Sequence, residues 1–136
     1  MEDMKSTDAL KAASAWLRTA RAAIDKGDYE VSLYAQEMAL EISLKAVLIY
    51  VNTEAPRRHD ILEIFSKTVK ERKGIPETIK ENRVKIIDTF RSLLYFRQMG
   101  VYSYEYNIDR SEFQEKAEKY YPEVERIVEL CVLSLA

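Results

Sequence analysis

The sequence is poor in the residues that punctuate or staple a chain. It has one cysteine, Cys131, among 136 residues. That excludes an internal disulfide and a cysteine-based zinc cluster. Cys131 lies in the apolar run "LCVLSLA", where inert packing is the expected role. Three glycines and three prolines are too few for an all-β chain with many turns. The glycines stand alone at 27, 74 and 100, so there is no glycine-rich phosphate loop. There is one histidine, His59. The longest apolar run, "AVLIYV", is far too short to span a bilayer. The opening "MEDMKSTDAL" is acidic and polar, unlike a signal peptide. A cytoplasmic protein with no membrane contact is therefore expected.

What is present is a soluble-domain composition, 47% hydrophobic and 32% charged, with a length that predicts one domain over 1–136. The net charge of −2 is unevenly spread. Residues 1–56 hold 6 basic and 9 acidic groups, residues 57–97 hold 11 and 6, and residues 98–136 hold 4 and 8. The basic middle segment can hold phosphates. It can equally be a solvated face, or pair with the acidic last helix.

Hydrophobic spacing predicts an all-α, five-helix bundle. The first helix runs from about Thr7 to Lys26, with Leu10, Ala13, Trp16, Leu17, Ala20 and Ile24 on its apolar face and Gly27 as its stop. The second runs from about Asp28 to Val51 and is apolar on nearly every side, which marks the central helix. Within it Glu41 and Lys45 are four apart in the order that favours an ion pair; partly buried, they require that pairing. Asp60 and Glu63 form a capping-box pattern for a third helix, about Asp60 to Arg72. Pro76 suits the first position of a fourth, which runs to about Arg97. Asp109 and Glu112 begin the fifth, which runs to about Leu135, with Pro122 expected to kink or divide it. Only Tyr102–Tyr106 shows the alternation of a strand, over too few residues to carry weight.

Few residues are placed for chemistry. His59, beside Asp60 at a helix start, is expected to cap or to hydrogen-bond within its loop rather than to serve a nucleophile. No ligand spacing suggests a metal, and no cofactor is expected. The remaining candidate is the stretch "FRQMGVYSYEYNIDR". Arg97 and Arg91 offer guanidinium groups for phosphate. They are six apart, not quite on one helix face. Tyr102, Tyr104 and Tyr106 either stack on bases or pack over the bundle end.

The segment "WLRTARAAIDKGDYEVSLYAQEMALEISLKAVLIY" resembles the opening helix pair of HEPN domains. The resemblance is carried by Gly27, Tyr29, Ala35, Ala39, Glu41, Leu44, Lys45 and Ala46. "RHDILEIF" is similar to the family's His-Asp entry to the third helix, through His59, Asp60, Ile61 and Leu62. "LLYFRQMGVYS" falls where the family has an apolar run ending in arginine. The resemblance covers about residues 8–135. It implies an up-and-down bundle, commonly a homodimer, with a nucleotide-binding role. Many members are the toxin half of a toxin–antitoxin pair with a small nucleotidyltransferase. Many of those are metal-independent ribonucleases that use an Arg, then four to six residues, then a His.

This sequence departs from that last motif. After Arg97 the matching offsets hold Tyr102, Ser103 and Tyr104; after Arg91 they hold Phe96, Arg97 and Gln98. Three readings follow. The first is a non-catalytic, dimeric HEPN-like module that binds a nucleotide, an RNA or a nucleotidyltransferase partner. The second is a toxin-type ribonuclease or nucleotide-processing enzyme with an altered site, in which Tyr102 or Tyr104 replaces the His. The third is a structural helical interaction protein.

Overall fold

The computed structural model describes residues 2–101, 105 and 109–135. It contains α1 (Glu2–Lys26), α2 (Tyr29–Tyr50), α3 (Leu62–Glu71), α4 (Glu77–Glu81), α5 (Arg83–Val101) and α6 (Arg110–Ser134). There is no strand among the described residues. No helix is long and apolar enough to cross a membrane.

Contacts between side chains set the helix directions. Ser6 hydrogen-bonds the carbonyl of Ala46 and Ser32 that of Ala20, so α1 and α2 are antiparallel. Arg97 of α5 meets Glu37 of α2, whereas Gln36 of α2 bonds the carbonyl of Ala117 and Glu30 pairs with Arg110 on α6. The last two contacts have nearly the same sequence offset, 81 and 80, so α6 runs parallel to α2. Lys85 with Glu123 and Phe96 with Tyr120 make α5 and α6 antiparallel. The long helices α1, α2, α5 and α6 thus alternate up and down, and α3 with α4 forms the crossover.

Helix α2 lies at the centre because it is apolar on nearly every side. Leu33, Ala35, Ala39, Leu40, Leu44, Ala46, Val47 and Leu48 on it are fully buried. Ala13 and Ala20 on α1 are fully buried too, and such small side chains let the two backbones approach closely. The α1–α2 turn is a Schellman motif. The Asp28 N–H reaches the Ala23 carbonyl at 2.8 Å and the Gly27 N–H reaches that of Ile24 at 3.0 Å. Gly27 sits at φ +79°, which only glycine adopts without strain.

Two details depart from the sequence-based expectation. The fourth helix, expected to be continuous, is divided at Asn82, which makes six helices in place of five. The Asn82 side-chain amide donates to the Thr78 carbonyl at 2.7 Å. Asparagine thus competes with the backbone ladder, as its short amide does in other helices. Pro122 does not divide the last helix, which runs unbroken from Arg110 to Ser134. Pro122 and Glu118 are both exposed, so water can serve the carbonyl that the proline leaves without an N–H donor.

Capping also differs in detail. The Asp60 carboxylate accepts from the Leu62 N–H at 3.2 Å, and Asp109 accepts from the Ser111 N–H at 2.9 Å. Both aspartates serve helix starts through the second N–H after them.

Replacing Gly27 by alanine should leave the fold intact, because an added Cβ meets no atom within 4 Å. The left-handed backbone should still cost about 1 kcal/mol. Thermal unfolding followed by circular dichroism should show a Tm lower by about 2–4 °C.

Candidate functional site

Tyr34, Glu37, Glu41 and Lys45 stand at helical spacing on one face of α2. The loop after α2 brings His59 to this face, and α5 brings Arg97 from the opposite direction. Glu41 is the hub. Its Oε2 accepts from Lys45 Nζ at 3.0 Å, and its Oε1 lies 2.9 Å from His59 Nδ1. Arg97 Nη2 lies 3.1 Å from His59 Nε2. Arginine only donates, so Nε2 must accept from it. The proton of the neutral imidazole is then on Nδ1, directed at Glu41. The Arg97 guanidinium also covers the Tyr34 ring, with its carbon 4.7 Å from the ring centroid. Trp16 of α1 packs beside that ring at 6.0 Å.

Glu37 sits one turn before Glu41 and has no exposed surface. Neither of its carboxyl oxygens has a hydrogen-bond partner of the ordinary kind. Arg97 Nε is 3.3 Å away, but the two atoms are not aligned for a hydrogen bond. A carboxyl facing another carboxylate can bond to it only by holding a proton. Burial, the contact with Glu41 and the charge on Glu41 push the Glu37 carboxyl up to about 9. Glu41 moves the other way. Burial opposes its charge, but hydrogen bonds from Glu37, Lys45 and His59 more than offset that, so it titrates below the usual carboxylate range.

The charges therefore resolve into one carboxylate, Glu41, and one carboxylic acid, Glu37, against the cations Lys45 and Arg97. The cluster carries a net positive charge at neutral pH. Arg97 is mostly buried, while half of the His59 side chain is open to solvent. An anion reaching the imidazole would meet a guanidinium behind it.

The fold creates a ligand spacing that the sequence did not suggest. One ligand atom each from Glu37, Glu41 and His59 lies within 4.8 Å of the others, close enough for one metal ion to bridge. Glu41 already has Lys45 as its counter-ion and Glu37 holds a proton, and a divalent cation would have to displace both beside the Arg97 guanidinium.

Of the residues singled out in the sequence, Glu41, Lys45, His59 and Arg97 come together. Asp60 remains a cap of α3. Arg91 is apart, exposed and paired with Asp88 at 3.2 Å. Tyr102, Tyr104 and Tyr106 lie outside the described residues. Part of the basic middle segment is engaged within the fold, while Lys70, Lys80 and Arg83 line one groove. Lys85 pairs with Glu123 on the acidic last helix, and Arg72 donates to the Val51 carbonyl at the end of α2.

Glu37 and Tyr34 were missed. A signal for Glu37 was present: a second acidic residue four positions before Glu41 in an apolar helix.

Replacing Glu37 by glutamine tests this charge assignment. A Glu raised from 4.5 to about 9 binds more protons folded than unfolded over that range. Its contribution to stability is present below the lower value and is lost as pH rises to the upper one. Glutamine keeps a donor toward Glu41 and cannot ionise. Melting curves across this range should show the variant gaining on the wild type as pH rises; a constant difference would contradict the assignment.

The HEPN domain family model matches residues 6–135 of the chain. No curated protein and no solved structure matches it.

Proposed function

The chain belongs to the HEPN domain family, and on that premise we propose that it binds the phosphate of a nucleotide or an RNA through Arg97 and His59. The observation that carries this reading is the Arg97–His59 contact at 3.1 Å, at the open edge of a cluster with net positive charge. A phosphate can take both donors at once. Protonation of the imidazole would replace the Arg97–His59 bond by two N–H groups aimed at one anion, since both ring nitrogens of a charged histidine donate. Stacking on Tyr34 presets the guanidinium plane.

The reading includes a homodimer, the assembly that the family resemblance implies, with a nucleotidyltransferase as a candidate partner. Sedimentation of the purified chain at twice its 15.9 kDa mass supports the dimer, and the monomer mass contradicts it.

Calorimetric titration at low salt with a short single-stranded RNA in one arm and ADP in the other distinguishes the two ligand sources. Arg97→Ala should weaken binding by about 1–3 kcal/mol, the cost of losing a charged hydrogen bond. The wild-type affinity should fall with added salt. Absence of binding in both arms, or unchanged binding in the variant, would overturn the proposal.

A second reading, RNA cleavage, is favoured by one specific contact. Glu41 holds His59 Nδ1–H, so Nε2 is the basic nitrogen and would act as general base once Arg97 turns from it to the phosphate. Nε2 would take the proton of the ribose 2′-hydroxyl as its oxygen attacks phosphorus. The P–O5′ bond would break, with the 5′-oxygen taking a proton from the imidazolium so formed, and Arg97 would stabilise the charge on the phosphorus oxygens. This His comes from the loop before α3, not from the family's position after the arginine. Incubation of RNA with the wild type should then give 2′,3′-cyclic phosphate ends, and His59→Ala and Arg97→Ala should each give at least about 100-fold less. Equal degradation by all three proteins would identify a contaminant and leave phosphate binding without cleavage.

A further inference from the structure

We infer that Glu37 is a positioning residue for Arg97, one that decides whether the guanidinium is offered to a phosphate or closed into an internal ion pair. The inference rests on the phosphate-binding reading above and names the control of that site.

The geometry comes first. Each Glu41 oxygen accepts one hydrogen bond, from Lys45 and from His59, and keeps a lone pair for another donor. Glu37 is fully buried beside it, with both oxygens lacking an ordinary donor. Arg97 Nε, also buried and without a hydrogen bond, stands 3.3 Å from Glu37 Oε2. A buried carboxylate cannot remain in that condition, because nothing offsets the loss of its hydration. Two arrangements remove the conflict. In one, Glu37 keeps a proton and donates it to Glu41, and Arg97 retains its full charge toward His59 and solvent. In the other, Glu37 is ionised and the guanidinium turns to close the Nε–H···Oε2 bond. The second arrangement cancels the charge that a phosphate would need.

The charged groups acting on Glu37 are Glu41 and Lys45 from α2 and Arg97 from α5. His59, from the loop, lies within 4.8 Å. Of these, Glu41 favours the protonated form, and the two cations favour the ionised one. The balance leaves the changeover near pH 9. Any change that brings negative charge to Arg97 shifts the same balance: a bound phosphate competes with an ionised Glu37 for the guanidinium and so favours the proton on Glu37. Ligand binding and proton uptake by Glu37 are thus linked with the same sign.

The test uses the full chain and Glu37→Gln, which is nearly isosteric and holds the neutral state. The first measurement needs no ligand: carbon-detected NMR of Arg97 Nε as pH is raised through about 9. The wild-type resonance should move as the Nε–H bond closes, and the variant's should not. A wild-type resonance that stays still, or equal movement in both proteins, overturns the inference. The second is the titration described above, with ADP or the RNA oligonucleotide, at about pH 7.5 and about pH 10. The ratio of the two proteins' affinities at each pH reads the contribution of the Glu37 carboxyl. Wild-type affinity should fall about fivefold more than that of the variant. Binding that depends on Arg97 but falls equally in both overturns this inference alone. No binding by the wild type at either pH overturns the phosphate reading as well.

Discussion

Two carboxyl groups buried one turn apart on the central helix are the constraint on which the site depends. Isolated carboxylates cannot be taken out of water without large cost, and two side by side cannot both remain charged. The chain meets this in three ways. Lys45 comes from the same helix, His59 from the following loop, and Arg97 from the helix that returns antiparallel across α2. The last two of these each tie down an element that propensity alone would leave free. The loop after α2 is held by the His59 bond to Glu41. The register of α5 against α2 is set where Arg97 lies over Tyr34 and beside Glu37. Apolar packing builds the bundle, but it is non-directional; the polar cluster is what distinguishes one register from its neighbours.

The fold was legible in the sequence where signals are local. Gly27 marked a helix end by its backbone freedom, and the Schellman bonds there are what such a glycine permits. The near absence of polar side chains between Met38 and Val51 marked the central helix. The break at Asn82 was not legible, because the apolar spacing of Ile79, Val84, Ile87, Phe90 and Leu94 continues across it and periodicity cannot see a side chain competing for a carbonyl. At Pro122 the helix runs on without division, because on an exposed face water can serve the carbonyl that loses its donor.

The site was legible in part, for a reason of distance. Glu41 and Lys45 are four apart and their pairing follows from helical geometry. His59 and Arg97 are separated by 38 positions, and no spacing rule joins them. Searching for a histidine a few residues after the arginine finds tyrosine. The fold supplies an imidazole from the other side. Glu37 shows a different limit. Its position was readable, yet its protonation state depends on Arg97, Lys45 and Glu41 acting together, and only the assembled cluster determines it.

The resting cluster also constrains what kind of ligand the site suits. Arg97 is already engaged by His59, Tyr34 and the edge of Glu37, so an incoming anion exchanges contacts instead of filling an empty charge. Exchange of this sort favours a group that accepts from two directions at once. A phosphate can receive from the guanidinium and the imidazole together, whereas a single neutral acceptor gains little over the bond it displaces. Glu41 strengthens the preference. It stays ionised behind His59 and holds the imidazole in place through Nδ1. The same carboxylate would repel an anion that penetrated deeper. The arrangement therefore suits a phosphate held at the surface of the bundle, with its nucleoside or chain extending into solvent, more than a small anion enclosed within the cluster.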